Sequence, residues 1–89
     1  MIPKNIERKH IVDAIEEIKR LGVPPRKRSR KYYVDYENEL FPVKYVISLA
    51  NKYANGTVLE PSEFRGGAET NPFLRALGFT VVDQRRIKN

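Results

Sequence analysis

The sequence predicts an α+β domain with elements in the order helix, strand, strand, helix, helix, strand, and a three-stranded antiparallel or mixed sheet packed against helices on one face. Three observations carry this. Apolar residues recur at helical spacing over 6–21, period-two alternation marks 31–36, and proline and glycine punctuate the remainder. With 89 residues and 40% hydrophobic content, the chain suits one modest core. It is expected to be a single domain over 1–84 with a basic flexible tail over 85–89.

The first helix is placed at 6–21, with Ile11, Ala14, Ile15, Ile18 and Leu21 forming one apolar stripe. Asp13, Glu16, Glu17 and Lys19 take other angular positions and are expected to face water. Asn5 is the predicted N-cap, and Glu7 in the first turn suits the helix dipole. Gly22 fits the left-handed C-terminal position, Val23 can fold back on the last turn, and Pro24-Pro25 forbid continuation.

Strand 31–36 places Tyr32, Val34 and Tyr36 on one face and Tyr33 and Asp35 on the other. Residues 37–39 read as a hairpin turn in which Asn38 takes a positive φ, followed by a return strand over 39–41. Pro42 suits the first position of a second helix, where its missing amide costs nothing. Val43, Val46, Ile47, Leu49, Ala50, Tyr53 and Ala54 give that helix a wide apolar face, and Asn55-Gly56 closes it. Residues 57–70 form a connection anchored by Leu59 and Phe64, with a sharp bend at Gly66-Gly67. Asn71-Pro72 starts a short helix that Gly78 ends, and 79–83 is the last strand.

The net charge of +6 is localised. Residues 26–31 carry +5 and the tail carries +3, so everything else sums to −2. One-sign blocks beside aromatics suit a polyanion, because lysine and arginine gain free energy by displacing counterions from phosphate. A last strand antiparallel to the first would bring both basic blocks to one end of the sheet. Pairing with the return strand would separate them. The first arrangement is preferred.

Other classes find little support. Without cysteine there is no disulfide, thiolate metal site or thiol nucleophile. No apolar run is long enough to span a membrane, and the first residues lack the core of a signal peptide, so a cytoplasmic setting is expected. His10, the single histidine, is read as a solvated or half-buried side chain; no metal or cofactor is implied. Glu17-Ile18-Lys19 superficially matches half of a nuclease signature. It lies in a helix, where two-residue spacing points the side chains apart.

The candidate contacts to nucleic acid are Arg26, Lys27, Arg28, Arg30, Lys31, Tyr33, Lys44, Tyr45, Arg65, Arg85 and Arg86. The first five form the dense block. Tyr33 faces away from the core and suits stacking on an unpaired base. Lys44 sets a positive charge against the dipole of the second helix, which invites a phosphate. Tyr45 beside it suits either a phosphate contact or packing. Arg65-Gly66-Gly67 ahead of Thr70-Asn71 reads first as a tight turn and second as an anion site built from backbone amides and one guanidinium. The tail contributes Arg85 and Arg86.

The stretches 41–50, Pro61-Ser62-Glu63-Phe64-Arg65-Gly66-Gly67, Thr70-Asn71-Pro72-Phe73-Leu74 and Leu77-Gly78-Phe79 are more particular than packing demands. With the opening His10-Ile11-Val12 helix, they resemble the N-terminal head domain of modification-dependent restriction endonucleases of the Mcr type, found ahead of HNH nuclease modules. The likeness covers about residues 6–83. It departs at Val43, where the family often has a second proline. The resemblance implies a non-enzymatic accessory domain for DNA binding or target sensing, with any nuclease in another module or subunit.

The leading expectation is therefore a nucleic-acid-binding accessory domain in a restriction context, with DNA favoured over RNA. The alternative is a protein-interaction or assembly module that docks an acidic neighbour and has no intrinsic DNA affinity. Hydrolytic activity would need a carboxylate pair, a nucleophile with its base, or a metal cluster, and the sequence offers none of these.

Overall fold

The computed structural model describes residues 1–28 and 31–83. Helix α1 spans Arg8–Leu21, β1 Tyr32–Tyr36, β2 Glu39–Pro42, α2 Val43–Asn55, α3 Thr70–Ala76 and β3 Thr80–Asp83. This is the expected order. Short 3-10 turns over Pro25–Lys27 and Pro61–Glu63 sit in the connections.

Helix α1 starts two residues later than predicted because Glu7, not Asn5, is its N-cap. The Glu7 amide donates to Nδ1 of His10 at 2.9 Å, so the histidine satisfies an otherwise orphaned donor at the helix start. Asn5 is engaged elsewhere, exchanging side-chain amide bonds of 2.6 and 3.0 Å with Asn55 at the end of α2. Ile6 before the cap and Ile11 in the second turn are both in the core, the placement of a hydrophobic staple. At the other end Leu21 is 71% exposed, contrary to the predicted stripe. The helix ends there, and Val23 is the residue that packs back on the core.

Helices α1 and α2 lie against each other, burying Ile11, Ala14, Ile15 and Ile18 with Val46, Ile47 and Ala50. Each fully buried isoleucine stabilises the fold by about 1.5–3 kcal/mol. The helix pair is also pinned by polar contacts. Glu17, expected in water, accepts hydrogen bonds from Lys52 Nζ at 2.7 Å and from the Tyr53 hydroxyl at 2.6 Å. These two donors, the lysine first, hold its carboxyl below the usual carboxylate range. Lys19 lies 3.7, 3.6 and 3.9 Å from Glu16, Glu37 and Glu39, tying α1 to the hairpin.

The sheet order is β2-β1-β3, with both outer strands antiparallel to β1. The β1–β2 turn places Glu37 and Asn38 at φ 51° and 67°, the double positive-φ geometry whose twist suits a two-residue hairpin. Val34 pairs with Phe41 on one side and Val81 on the other, and all three are buried beneath the helices. Asp35, Leu40 and Thr80 line up on the opposite, exposed face. Pro42 closes β2 and serves as N-cap of α2; it is not the first helical residue. Helix α3 begins at Thr70, so Asn71 is inside its first turn instead of capping it. Among the described residues, no helix is long and apolar enough to cross a membrane.

Candidate nucleic-acid interface

Pro24 and Pro25 end α1 and set the course of the basic segment. The 3-10 turn closes with the Lys27 amide donating to the Pro24 carbonyl at 2.8 Å, and Arg28 continues extended. Arg26, Lys27 and Arg28 are consequently all exposed. Among the described residues, no carboxylate lies within ion-pair distance of these three cations. The acids most involved in pairing have other partners: Glu17 faces Lys52, three glutamates surround Lys19, and Glu69 faces the N-terminus.

The segment borders two adjoining hollows at the end of the sheet where β1 begins. The larger, about 410 Å³, is lined by Lys27, Arg28, Lys31, Tyr32, Pro42, Val43, Lys44, Gly66 and Gly67. The smaller, about 150 Å³, is lined by Arg26, Lys27, Arg28, Lys44, Tyr45, Ser48 and Pro61. Lys27, Arg28 and Lys44 border both. Lys31 places its ammonium 5.3 Å from the centre of the Tyr32 ring. Asp83, the last residue of β3, pairs with Tyr32 at this same end, as the preferred topology requires. Arg30, Arg85 and Arg86 lie outside the described residues.

Several predicted contacts take part in internal structure. Lys44 Nζ donates to the carbonyls of Pro61 at 2.6 Å and Phe64 at 2.9 Å, and sits 4.7 Å from the centre of the Phe64 ring. Those carbonyls, drawn from a later loop, explain why a cation is tolerated in the first turn of α2. Two of its three N–H donors are thereby occupied. Tyr33 is half-buried on the sheet face away from the helices, between Pro42 and Val82. It lies on the face opposite Tyr32 and is not among the residues lining the two hollows.

At Arg65-Gly66-Gly67 the tight-turn reading describes the geometry. The Arg65 amide donates to Glu69 Oε1 at 2.9 Å, and the Gly67 amide to Thr70 Oγ1 at 2.9 Å. Glu69 also accepts from the Ile2 amide at 2.7 Å. These backbone donors, Arg65 first, hold its carboxyl below the usual range. The anion served by this bend is the protein's own Glu69. Arg65 lines a separate hollow with Met1, Ser62, Glu63, Phe64 and Glu69.

The hollows also use residues that the sequence did not single out. Gly67 has φ 77°, and a Cβ there would lie 3.0 Å from Cε2 of Tyr32, so this glycine lets the bend close on the tyrosine ring. Ser48 is 3% exposed, and its hydroxyl is buried without a hydrogen-bond partner among the described residues. A lone hydroxyl amid Val46, Ile47, Leu49 and Ala50 was the available signal.

A three-stranded antiparallel sheet with helices on one face and a cation-lined end defines a small α+β module. The chain belongs to the ScoMcrA-like, N-terminal head domain family, whose model matches residues 4–83. That family is a restriction-system head domain, an accessory module, and it is the one the sequence resembles. No curated protein and no solved structure matches the chain.

Proposed function

We propose that this head domain is a non-enzymatic DNA-binding module of a restriction system, gripping the phosphate backbone through Arg26, Lys27 and Arg28 with added charge from Arg30 and Lys31. Any nuclease it serves resides in another module or subunit. The observation that carries this reading is three exposed cations in sequence, none neutralised by a carboxylate of the described residues, bordering hollows at one end of the sheet. Glu17, Glu69 and the glutamates around Lys19 face other cations, which leaves the charge of this segment available to a polyanion. Arg85 and Arg86, outside the described residues, are further candidates for phosphate contact. Lys44 supports it from behind by holding the loop that carries Pro61 and Phe64.

The test is duplex binding by fluorescence anisotropy across a salt series. Three phosphate contacts predict that log K falls with log salt at a slope of about −2.7, or about 40-fold between 50 and 200 mM. Arg26→Glu with Arg28→Glu should weaken binding at least tenfold at matched ionic strength and flatten the slope. Unchanged affinity and slope in that double variant would sink the reading. No duplex affinity in the parent protein, together with capture of an acidic subunit, would make it an assembly module instead.

A further inference from the structure

We infer that the two adjoining hollows form a site for a single unpaired nucleotide, its phosphate entering the smaller hollow and its nucleoside the larger. This deepens the DNA-binding reading and rests on it. The Ser48 hydroxyl carries the argument. A buried hydroxyl without a partner is costly, about 1–3 kcal/mol by protein mutational data, and such groups call for an explanation. Ser48 lines the smaller hollow, whose rim carries Arg26, Lys27 and Arg28. A serine in a lining shared with three cations suits an oxygen-rich anion.

The start of α2 is a second, independent feature. Its N-cap is Pro42, which has no side-chain acceptor, and no side chain caps the first turn. A helix whose first amides lack a side-chain cap favours negative charge at that end. Val43 and Lys44 of this turn border the larger hollow, and Lys44 and Tyr45 the smaller. The first turn of a thirteen-residue helix, Ser48 and the cations therefore border the same pair of hollows.

Size and lining set the ligand class. The smaller hollow, about 150 Å³, has room for a phosphate. The larger, about 410 Å³, falls within the ~300–1,000 Å³ of small-molecule sites. Its Pro42, Val43 and Tyr32 offer apolar and aromatic surface, with Gly66 and Gly67 allowing close approach. A base still stacked in a duplex cannot enter such a recess, so the nucleotide must be extruded, unpaired or at a strand end.

The experiment compares three labelled DNAs of equal length with the whole protein: a perfect duplex, a duplex with one bulged nucleotide, and a single strand. A free deoxynucleoside monophosphate and inorganic phosphate are titrated separately, following amide shifts. The bulged duplex should bind about tenfold tighter than the perfect one. Ser48→Ala should abolish that preference while leaving perfect-duplex affinity within twofold and thermal stability no lower. Shifts at Ser48, Lys44 and Tyr45 from the free mononucleotide, larger than those from phosphate, would support a two-part site. Equal binding of bulged and perfect duplex, or a preference that survives Ser48→Ala, overturns the inference and leaves the DNA-binding reading standing. Loss of all DNA binding overturns both. Ser48→Val, which fills the space without a hydroxyl, is the second variant should alanine perturb the fold.

Discussion

Gly66 and Gly67 are adjacent, yet the structure assigns them opposite responses to an added methyl group. At Gly67 the backbone sits at φ 77°, and a Cβ would come within 3.0 Å of Cε2 of Tyr32. The conformation alone costs an alanine roughly 1–2 kcal/mol. The contact adds to this, because the neighbouring atom belongs to a ring packed against the core and not to the tip of a flexible chain. Gly67→Ala should therefore destabilise by about 2–3 kcal/mol. At Gly66 no positive φ applies, and the Cβ would meet Cδ of Lys44 at 3.4 Å, an atom of a flexible stem. There the reduced freedom of the unfolded chain favours alanine by ~0.4–1 kcal/mol, and the slight crowding offsets part of it. Gly66→Ala should thus fall within about 0.5 kcal/mol of the parent. Urea unfolding followed by tyrosine fluorescence or far-UV dichroism gives both values, with the slope checked for constancy. If Gly67→Ala is as stable as Gly66→Ala, the account of the bend against Tyr32 is wrong.

Two other perturbations test the internal contacts of Lys52 and Lys44. The carboxyl of Glu17 is held below its ordinary value of 4.5, so its bonds to Lys52 and Tyr53 stabilise the fold fully above that value and fade as pH falls through the folded one. Glu17→Gln should cost about 1 kcal/mol at pH 7 and lessen the loss of stability as pH falls below the ordinary carboxylate value; an unchanged acid profile would show the contact to be idle. Lys44→Met keeps the stem against Gly66 and removes the bonds to Pro61 and Phe64, predicting a loss of about 1–3 kcal/mol in urea and less than a threefold change in duplex affinity. The reverse pattern, intact stability with a tenfold loss of affinity, would return Lys44 to the phosphate contacts.

The element order could be read from the chain because local rules agreed there, whereas the placement of β1 between its two partners was preferred only because it brings the basic blocks to one end. Gly22 and the prolines stop α1, positive φ at Asn38 makes the hairpin, and Gly56 ends α2 at φ 89°. Helix starts were less legible, since they depend on which acceptor wins. His10 displaced Asn5 as the partner at the start of α1, and Thr70, buried and bonded to the Gly67 amide, moved the start of α3 ahead of Asn71. The exposure of the dense basic block was legible, and the internal commitments of other charged residues were not. Nothing in the neighbourhood of Lys44 announces acceptors at Pro61 and Phe64, and nothing near Arg65 announces that Glu69 will turn back onto its amide. The same holds for Glu17, whose amphipathic position gave no hint of Lys52 and Tyr53.

The middle strand has one neighbour a tight turn away and the other near the far end of the chain. A polypeptide emerging in order can close the hairpin and pair its two long helices early, while the remaining flank of Tyr32–Tyr36 waits for Thr80–Asp83. Until that late piece arrives, a row of backbone donors and acceptors stands open to any passing extended segment. A break before Thr80 would leave the module adhesive, with the charge of residues 26–31 intact and its architecture unfinished.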